Sequence, residues 1–483
     1  MDKDNNLGRL LVLLFFVLAL SLAMYALPDE LLGYRIKKVD MLSDIRVKTK
    51  PLLRDSLRQL LNQPEIITID TIVASHPEVT TIDSAAILQK REELYRDMYA
   101  DQIADSSIIF IDDYSPGHVA LRRFFYALNK RDEMDRPVRI AFLGDSFIEG
   151  DILVSDFRSG LQKQFGGRGV GFVPISSVTA EYRPTIEQQA EGWKTLSLLN
   201  DSLHQYQYTL SCELFEPEAD IVQLRFKNTN RYAELPVVST IKLLYEQNKH
   251  TRMQLVLNEG EDQIKRTLPA TDKITQNIHT GEIREASYRF TQTDGFRALG
   301  VALEDDTGVI VDNFAIRGNS GLILEQLDEQ RSKELQRIRP YDLIVLQYGL
   351  NTVHEEMLDY GWYGVRMQRV IRHLRKCFPE TDILLLSVSD RGAQEEDGIE
   401  TMPAVFAMLY TQRQIAQKTG VAFWNMFEAM GGENSIVDYV EKGWAGKDYT
   451  HMSFSGGREI AKALLEALQK EKEFYDKAEE SIH

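Results

Sequence analysis

The pattern that most constrains the fold is an alternation of strand-length and helix-length apolar segments. Short apolar runs at 138–143, 309–315, 343–347, 383–388 and 421–424 are rich in aliphatic and β-branched residues and are bounded by turn residues. Each is followed by a helical pattern, near 153–165, 322–338, 365–378, 404–418 and, after a further loop, 455–468. This order predicts an α/β domain: a parallel sheet with helices on its faces, right-handed crossovers, and a ligand site at the carboxyl ends of the strands. One stretch breaks the alternation. Between about 182 and 300 no helical pattern appears, and 221–226, 237–245, 253–257 and 298–303 read as antiparallel strands joined by polar turns, which is an inserted β-sandwich.

With 483 residues, 43% of them hydrophobic, the chain has material for two or three packed units. The expected division is 1–28, a membrane anchor or signal segment; 29–115, a stalk or linker without chemistry; 116–182 and 305–470, the two parts of the α/β domain; 183–304, the inserted sandwich; and 471–483, a charged tail. The formal net charge of -17 and the absence of a basic stripe argue against a nucleic-acid binder, which needs clustered Lys and Arg to displace counterions. Cys212 and Cys377 form no metal or disulfide ladder and read as small buried hydrophobes.

Residues 10–27 are uncharged and apolar, enough to cross about 27 Å of hydrocarbon as a helix. Lys3 and Arg9 precede them, so the amino end is expected in the cytoplasm and the rest outside it, on the periplasmic side. A cleaved signal peptide, with Ser21 and Ala23 near the cut, is the rival and would make the protein secreted. The apolar core exceeds the usual signal core of about 7–15 residues, which favours a transmembrane helix that is retained.

Four motifs fall where such a sheet does chemistry. Strand 138–143 runs into Gly144-Asp145-Ser146, placing a serine at a strand's carboxyl end before a helix. A serine needs a base. His451 stands in Asp448-Tyr449-Thr450-His451 just before the last helix, and a carboxylate three residues earlier can turn back to Nδ1 and leave Nε2 free to take a hydroxyl proton. The loops after 309–315 and 343–347 carry Gly318 and Asn351, whose backbone N–H and side-chain amide suit an oxyanion. Taken singly these are capping and turn residues; taken together they are the parts that acyl transfer requires.

Gly144-Asp145-Ser146, Gly318, Gly349-x-Asn351 and Asp448-x-x-His451 resemble, in order, the four blocks of the SGNH/GDSL hydrolase family. The resemblance spans about residues 118–180 and 305–470, with Thr352 where the family often has Asp. It implies a flavodoxin-like three-layer α/β/α domain. The implied site is a Ser146–His451–Asp448 triad with oxyanion donors from Ser146, Gly318 and Asn351. The long β insert resembles the arrangement in peptidoglycan O-acetylesterases.

The expected activity is a serine esterase that removes acetyl or short acyl groups from a cell-envelope glycan through an acyl-enzyme. An O-acetyltransferase fed by a membrane acyl donor, and an inactive glycan-binding scaffold, are the alternatives. The expected partners are an acylated polysaccharide or peptidoglycan and the membrane itself; no cofactor or metal motif appears. His354, Asp390 and Arg391 are further candidates for substrate contact, since they follow strands 343–347 and 383–388 at the active edge. The glycines at 167, 169 and 171 follow a helix and read as a turn rather than a dinucleotide loop. Trp193, Trp362, Trp424 and Trp444 can stack on sugars or fill cores.

Overall fold

A computed structural model describes residues 30–31, 34–35, 84–102, 108–260, 263–395 and 398–482. The chain divides into two units, Met1–Ser56 and Leu57–His483. In the first, the described residues form two antiparallel strands, Glu30–Leu31 and Tyr34–Arg35. The apolar run 10–27 expected to anchor the chain lies outside the described residues. Among the described residues no helix is long and apolar enough to cross a membrane.

The second unit is built on a six-stranded sheet in the order Val309–Ala315, Val138–Gly144, Leu343–Gln347, Asp382–Leu386, Ala422–Trp424, Ile111–Asp113. The first five strands run parallel, and Ile111–Asp113 closes the edge antiparallel to Ala422–Trp424. All seven residues of Val138–Gly144 are buried, as a strand covered on both faces must be. Its side chains alternate between two cores. Ile140 and Phe142 share one with Phe157, Ile460 and Leu464 of helices Val154–Phe165 and Phe454–Ile482. Ala141 and Leu143 share the other with Val370, Leu374 and Leu409 of helices Gly361–Cys377 and Pro403–Thr419. The result is a helix–sheet–helix sandwich whose parallel strands coincide with the five apolar runs.

The insert consists of two antiparallel sheets. One has the order Thr275–Ile283, Val238–Gln247, Arg297–Glu304, Glu213–Pro217, Trp193–Ser197; the other has Gln263–Thr267, Arg252–Leu257, Glu285–Thr291, Ile221–Asn228, Ile186–Glu191. Ile241, Leu243 and Tyr245 point between the sheets with Leu224, Phe226 and Leu255. Leu244 points the other way, into the core containing Phe314, Leu335 and Tyr341. Val238–Gln247 is therefore buried almost throughout, because it lies between two packed layers.

Three expected boundaries change. The sandwich draws in Gly171–Pro174, which pairs with Arg297–Glu304, so it begins earlier than residue 183. The described part of 29–115 beyond residue 83 is not a free stalk: Arg91 Nη1 of helix Ser84–Gln102 lies 2.9 Å from Glu479, and Ile111–Asp113 belongs to the sheet. Residues 471–482 are not a charged tail but the end of helix Phe454–Ile482, with Phe474, Tyr475 and Ala478 buried. The charges there masked the continuing three- and four-residue spacing of the apolar positions.

A buried ion cluster joins the sandwich to the sheet. Glu304 accepts from Arg139 at 2.7 Å, Lys242 at 2.9 Å and Arg339 at 2.6 Å, and Arg339 also lies 2.7 Å from Asp312. Burial alone would push the Glu304 carboxyl up; the three cations outweigh it and hold it well below the usual range. Glu304→Gln removes the common counter-charge and leaves buried cations under-compensated, which costs about 3–5 kcal/mol for pairs of this kind. Urea unfolding near neutral pH is expected to show that loss. At acid pH, where wild-type Glu304 also takes up a proton, the gap narrows, because a depressed carboxyl contributes stability only above its unfolded pKa.

Candidate active site

The Gly-Asp-Ser turn leaves strand Val138–Gly144 with its backbone tied to the loop after Val309–Ala315, Ile316 N–H donating to the Gly144 carbonyl at 2.9 Å. Asp145 is buried. Its carboxylate accepts from Phe147 N–H at 2.9 Å, which closes the turn beneath Ser146, and from the Asn351 amide at 2.8 Å. Burial pushes the Asp145 carboxyl up to about 6, against the pull of these two donors and of the nearby His451. A carboxyl raised in this way contributes stability at acid pH that is lost as the pH rises through about 6. Ser146 itself is half-buried.

His451 and Asp448 adopt the geometry expected of the base. His451 Nδ1 lies 2.7 Å from Asp448 Oδ2, while Asp448 Oδ1 accepts from the backbone N–H groups of Thr450 and His451, each at 3.1 Å. A carboxylate there selects the tautomer with the proton on Nδ1 and leaves the Nε2 lone pair unoccupied. Burial raises the Asp448 pKa somewhat, but these hydrogen bonds outweigh it and hold the carboxyl below the usual aspartate range. The imidazole is 60% exposed, so it can meet a substrate at the surface.

Of the oxyanion candidates, Gly318 has φ +69, a conformation that favours glycine, and nothing lies within 4 Å of where a Cβ would sit. Among the described residues neither its N–H nor that of Ser146 donates to a protein acceptor. Asn351 is engaged: its amide donates to Asp145 at 2.8 Å and, more weakly, to the Asn319 carbonyl at 3.2 Å. Gly349, at φ +116, is needed because a Cβ there would meet Gln412 Nε2 at 2.8 Å. Thr352 fits the loop, its hydroxyl donating to the Gly349 carbonyl at 2.6 Å. Asn351→Ala is expected to lower kcat for ester hydrolysis about 10²–10³-fold, the measured worth of one oxyanion donor elsewhere. Steady-state kinetics with KM unchanged checks it; a change confined to KM contradicts it.

The three further candidates fare differently. Asp390 does not face substrate: it is buried and accepts from the backbone of Ile436 at 2.9 Å and the Ser435 hydroxyl at 3.4 Å, fixing the start of helix Ser435–Glu441. Position at the active edge says nothing of the direction in which a side chain turns. Arg391 Nη1 donates to the Val353 carbonyl at 3.0 Å, bracing the Asn351 loop. His354 is exposed two residues beyond that loop's helical turn, its N–H donating to the Tyr360 hydroxyl at 3.2 Å. Gln412 was not singled out in the sequence; it is buried and bridges the Tyr348 carbonyl at 2.7 Å to the Val388 N–H at 2.8 Å. Its signal, a polar residue on the apolar face of helix Pro403–Thr419, is visible only once that face is known.

A cavity of about 350 Å³ between helices Gly361–Cys377 and Pro403–Thr419 is lined by Tyr360, Gln368, Tyr410 and Lys418 and contains none of the four motif residues. Gly318, Asn351 and His451 are exposed and Ser146 is half-buried. Of the tryptophans, Trp424 is fully buried, while Trp362 is 47% exposed.

No family model and no curated protein matches the chain. Solved structures do. A peptidoglycan O-acetylesterase superposes with a TM-score of 0.60 at 19% identity, over 74% of this chain and 98% of that one. A family two carbohydrate esterase from Cellvibrio japonicus is similar at a TM-score of 0.26 and 11% identity, over 60% of this chain and 99% of its own. An acetyl xylan esterase from Geobacillus stearothermophilus is similar at 0.26 and 19%, over 33% and 73%. The chain shares the fold of that peptidoglycan O-acetylesterase over nearly the whole of the latter's length.

Proposed function

We propose that this chain is a serine esterase that removes acetyl groups from a cell-envelope glycan. The observation that carries the reading is the Asp448–His451 pair at 2.7 Å, which holds the imidazole proton on Nδ1 and leaves Nε2 as a base. The two uncommitted N–H groups of Ser146 and Gly318 complete the requirement for stabilising a tetrahedral oxygen.

In the proposed reaction, Ser146 Oγ bonds to the acyl carbon as its proton passes to His451 Nε2, and the carbonyl electrons move onto the oxygen held by the amide donors. Collapse expels the sugar oxygen, which takes the proton from Nε2. Water, deprotonated by the same nitrogen, then attacks the acyl carbon; the bond to Ser146 Oγ breaks, Oγ takes the proton back from Nε2, and the acid leaves and ionises to acetate. Asp448 stabilises the imidazolium throughout.

The glycan target draws support from the exposed site, which suits a polymer better than an enclosed pocket, and from the fold shared with a peptidoglycan O-acetylesterase. The apolar run 10–27 fits as an anchor that keeps the enzyme at the envelope. Incubation with O-acetylated peptidoglycan and quantification of free acetate tests the reading. Acetate release supports it; acetyl groups appearing on an added glycan acceptor instead of in solution would replace hydrolysis with transfer; neither would refute it.

A further inference from the structure

The segment after Ser146 does not enter a helix directly. A short turn, Glu149–Asp151, intervenes before Val154–Phe165, and two consecutive residues, Gly150 and Asp151, have φ of +63 and +67. Asp151 is a non-glycine residue in a conformation that L side chains rarely take, and it is fully buried. Something must hold it there.

Its carboxylate is the meeting point of three parts of the molecule. From the following helix, Arg158 donates Nη1 to Oδ2 at 3.1 Å and Nη2 to Oδ1 at 3.3 Å. From the sheet, Asn313 donates to Oδ1 at 2.7 Å and also to the Ile148 carbonyl at 2.9 Å. From the segment leading into the sandwich strand Ile186–Glu191, Arg183 Nε donates to Oδ2 at 3.0 Å and the Thr185 hydroxyl to the same oxygen at 2.5 Å. Burial would raise this carboxyl; the two guanidiniums and the hydroxyl hold it far below the usual range. The same turn reaches the oxyanion loop, Glu149 Oε2 lying 2.6 Å from Arg317 Nη2, next to Gly318.

We infer that the β-sandwich is a positioning element for the nucleophile: Arg183 and Thr185 clamp Asp151, and Asp151 fixes the turn that sets Ser146 and Gly318. The inference rests on the esterase reading of Ser146 for its catalytic consequence, and it gives the insert a task separate from glycan capture. It therefore applies to a small ester that no glycan-binding surface would touch.

The test compares the full chain with Arg183→Ala, Arg183→Lys, Thr185→Val and a control, Arg297→Ala. Arg297 bridges Glu216 and Glu246 within the sandwich, so its loss perturbs the same module without reaching the Ser146 turn. Two readouts are taken on folded protein: amide hydrogen exchange across residues 144–153, and steady-state kinetics with p-nitrophenyl acetate. Arg183→Ala is expected to speed exchange there and to lower kcat at least about tenfold with KM within about twofold, as slight misplacement of reacting groups does. Arg183→Lys is expected to restore most of kcat, Thr185→Val to act in the same direction more weakly, and Arg297→Ala to change neither readout. Should Arg183→Ala fail to fold, Thr185→Val, which removes only a hydroxyl, decides. Unchanged exchange and kcat in the folded variants would overturn the inference, as would an equal effect from Arg297→Ala. If the wild type cleaves no ester, the esterase reading falls, and the exchange readout still decides whether the sandwich positions the turn.

Discussion

Ser146→Ala is expected to lower kcat for p-nitrophenyl acetate by about 10⁴–10⁶-fold, the range seen when a serine nucleophile is removed from an intact triad. The fold should be indifferent to the change. Ser146 is half-buried, its hydroxyl has no protein partner among the described residues, and the turn beneath it is closed by Asp145 and Phe147 rather than by the serine. Removing it leaves no buried donor or acceptor without a partner, so the melting temperature should hardly move. What activity survives would come from the amide donors and from binding. Loss of activity within about tenfold of wild type would contradict the assignment, because it would mean that another group attacks the ester.

Asp448→Asn is expected to cost almost as much, about 10⁴-fold, by selecting the wrong tautomer of His451. The asparagine keeps an oxygen for the backbone N–H groups of Thr450 and His451, which now bond to Oδ1, so the loop should keep its shape. The amide nitrogen, however, takes the place of Oδ2 and presents a donor to Nδ1. The imidazole must then carry its proton on Nε2 and has no lone pair for Ser146. The Asp448→Asn, His451→Ala double variant should be no slower than His451→Ala alone, because residues that act as a unit are not additive. Additive losses would mean that Asp448 acts by some route other than the histidine. The depressed Asp448 carboxyl implies a small stabilisation present above the ordinary aspartate range and lost as pH falls through its folded value. Asp448→Asn should remove that acid dependence as well.

How far the sequence reveals this site depends on the range of each interaction. Asp448 and His451 are three residues apart, so their hydrogen bond is a local event that spacing alone suggests. The five parallel strands were legible because burial on both faces writes a continuous apolar run. The edge strand Ile111–Asp113 has three residues, two of them aspartates, and leaves no such trace. Gly171–Pro174 could not be assigned to the sandwich, because its partner Arg297–Glu304 lies more than a hundred residues away and only pairing defines it. Asp390 was correctly placed beyond a strand end, yet its contacts with Ser435 and Ile436 depend on a loop whose course local pattern does not determine. Asp151 is the strongest case. Its role depends on Arg158, Arg183, Thr185 and Asn313 converging on one carboxylate, and no window of sequence contains all four.

Covalent labelling identifies the nucleophile. The protein is treated with a fluorophosphonate probe, digested, and the modified peptide sequenced by mass spectrometry. The serine of Gly144-Asp145-Ser146 is expected to carry the phosphonyl group, with labelling suppressed in His451→Ala. A label on any other residue, or none under conditions that mark a known serine esterase, would contradict the assignment of Ser146.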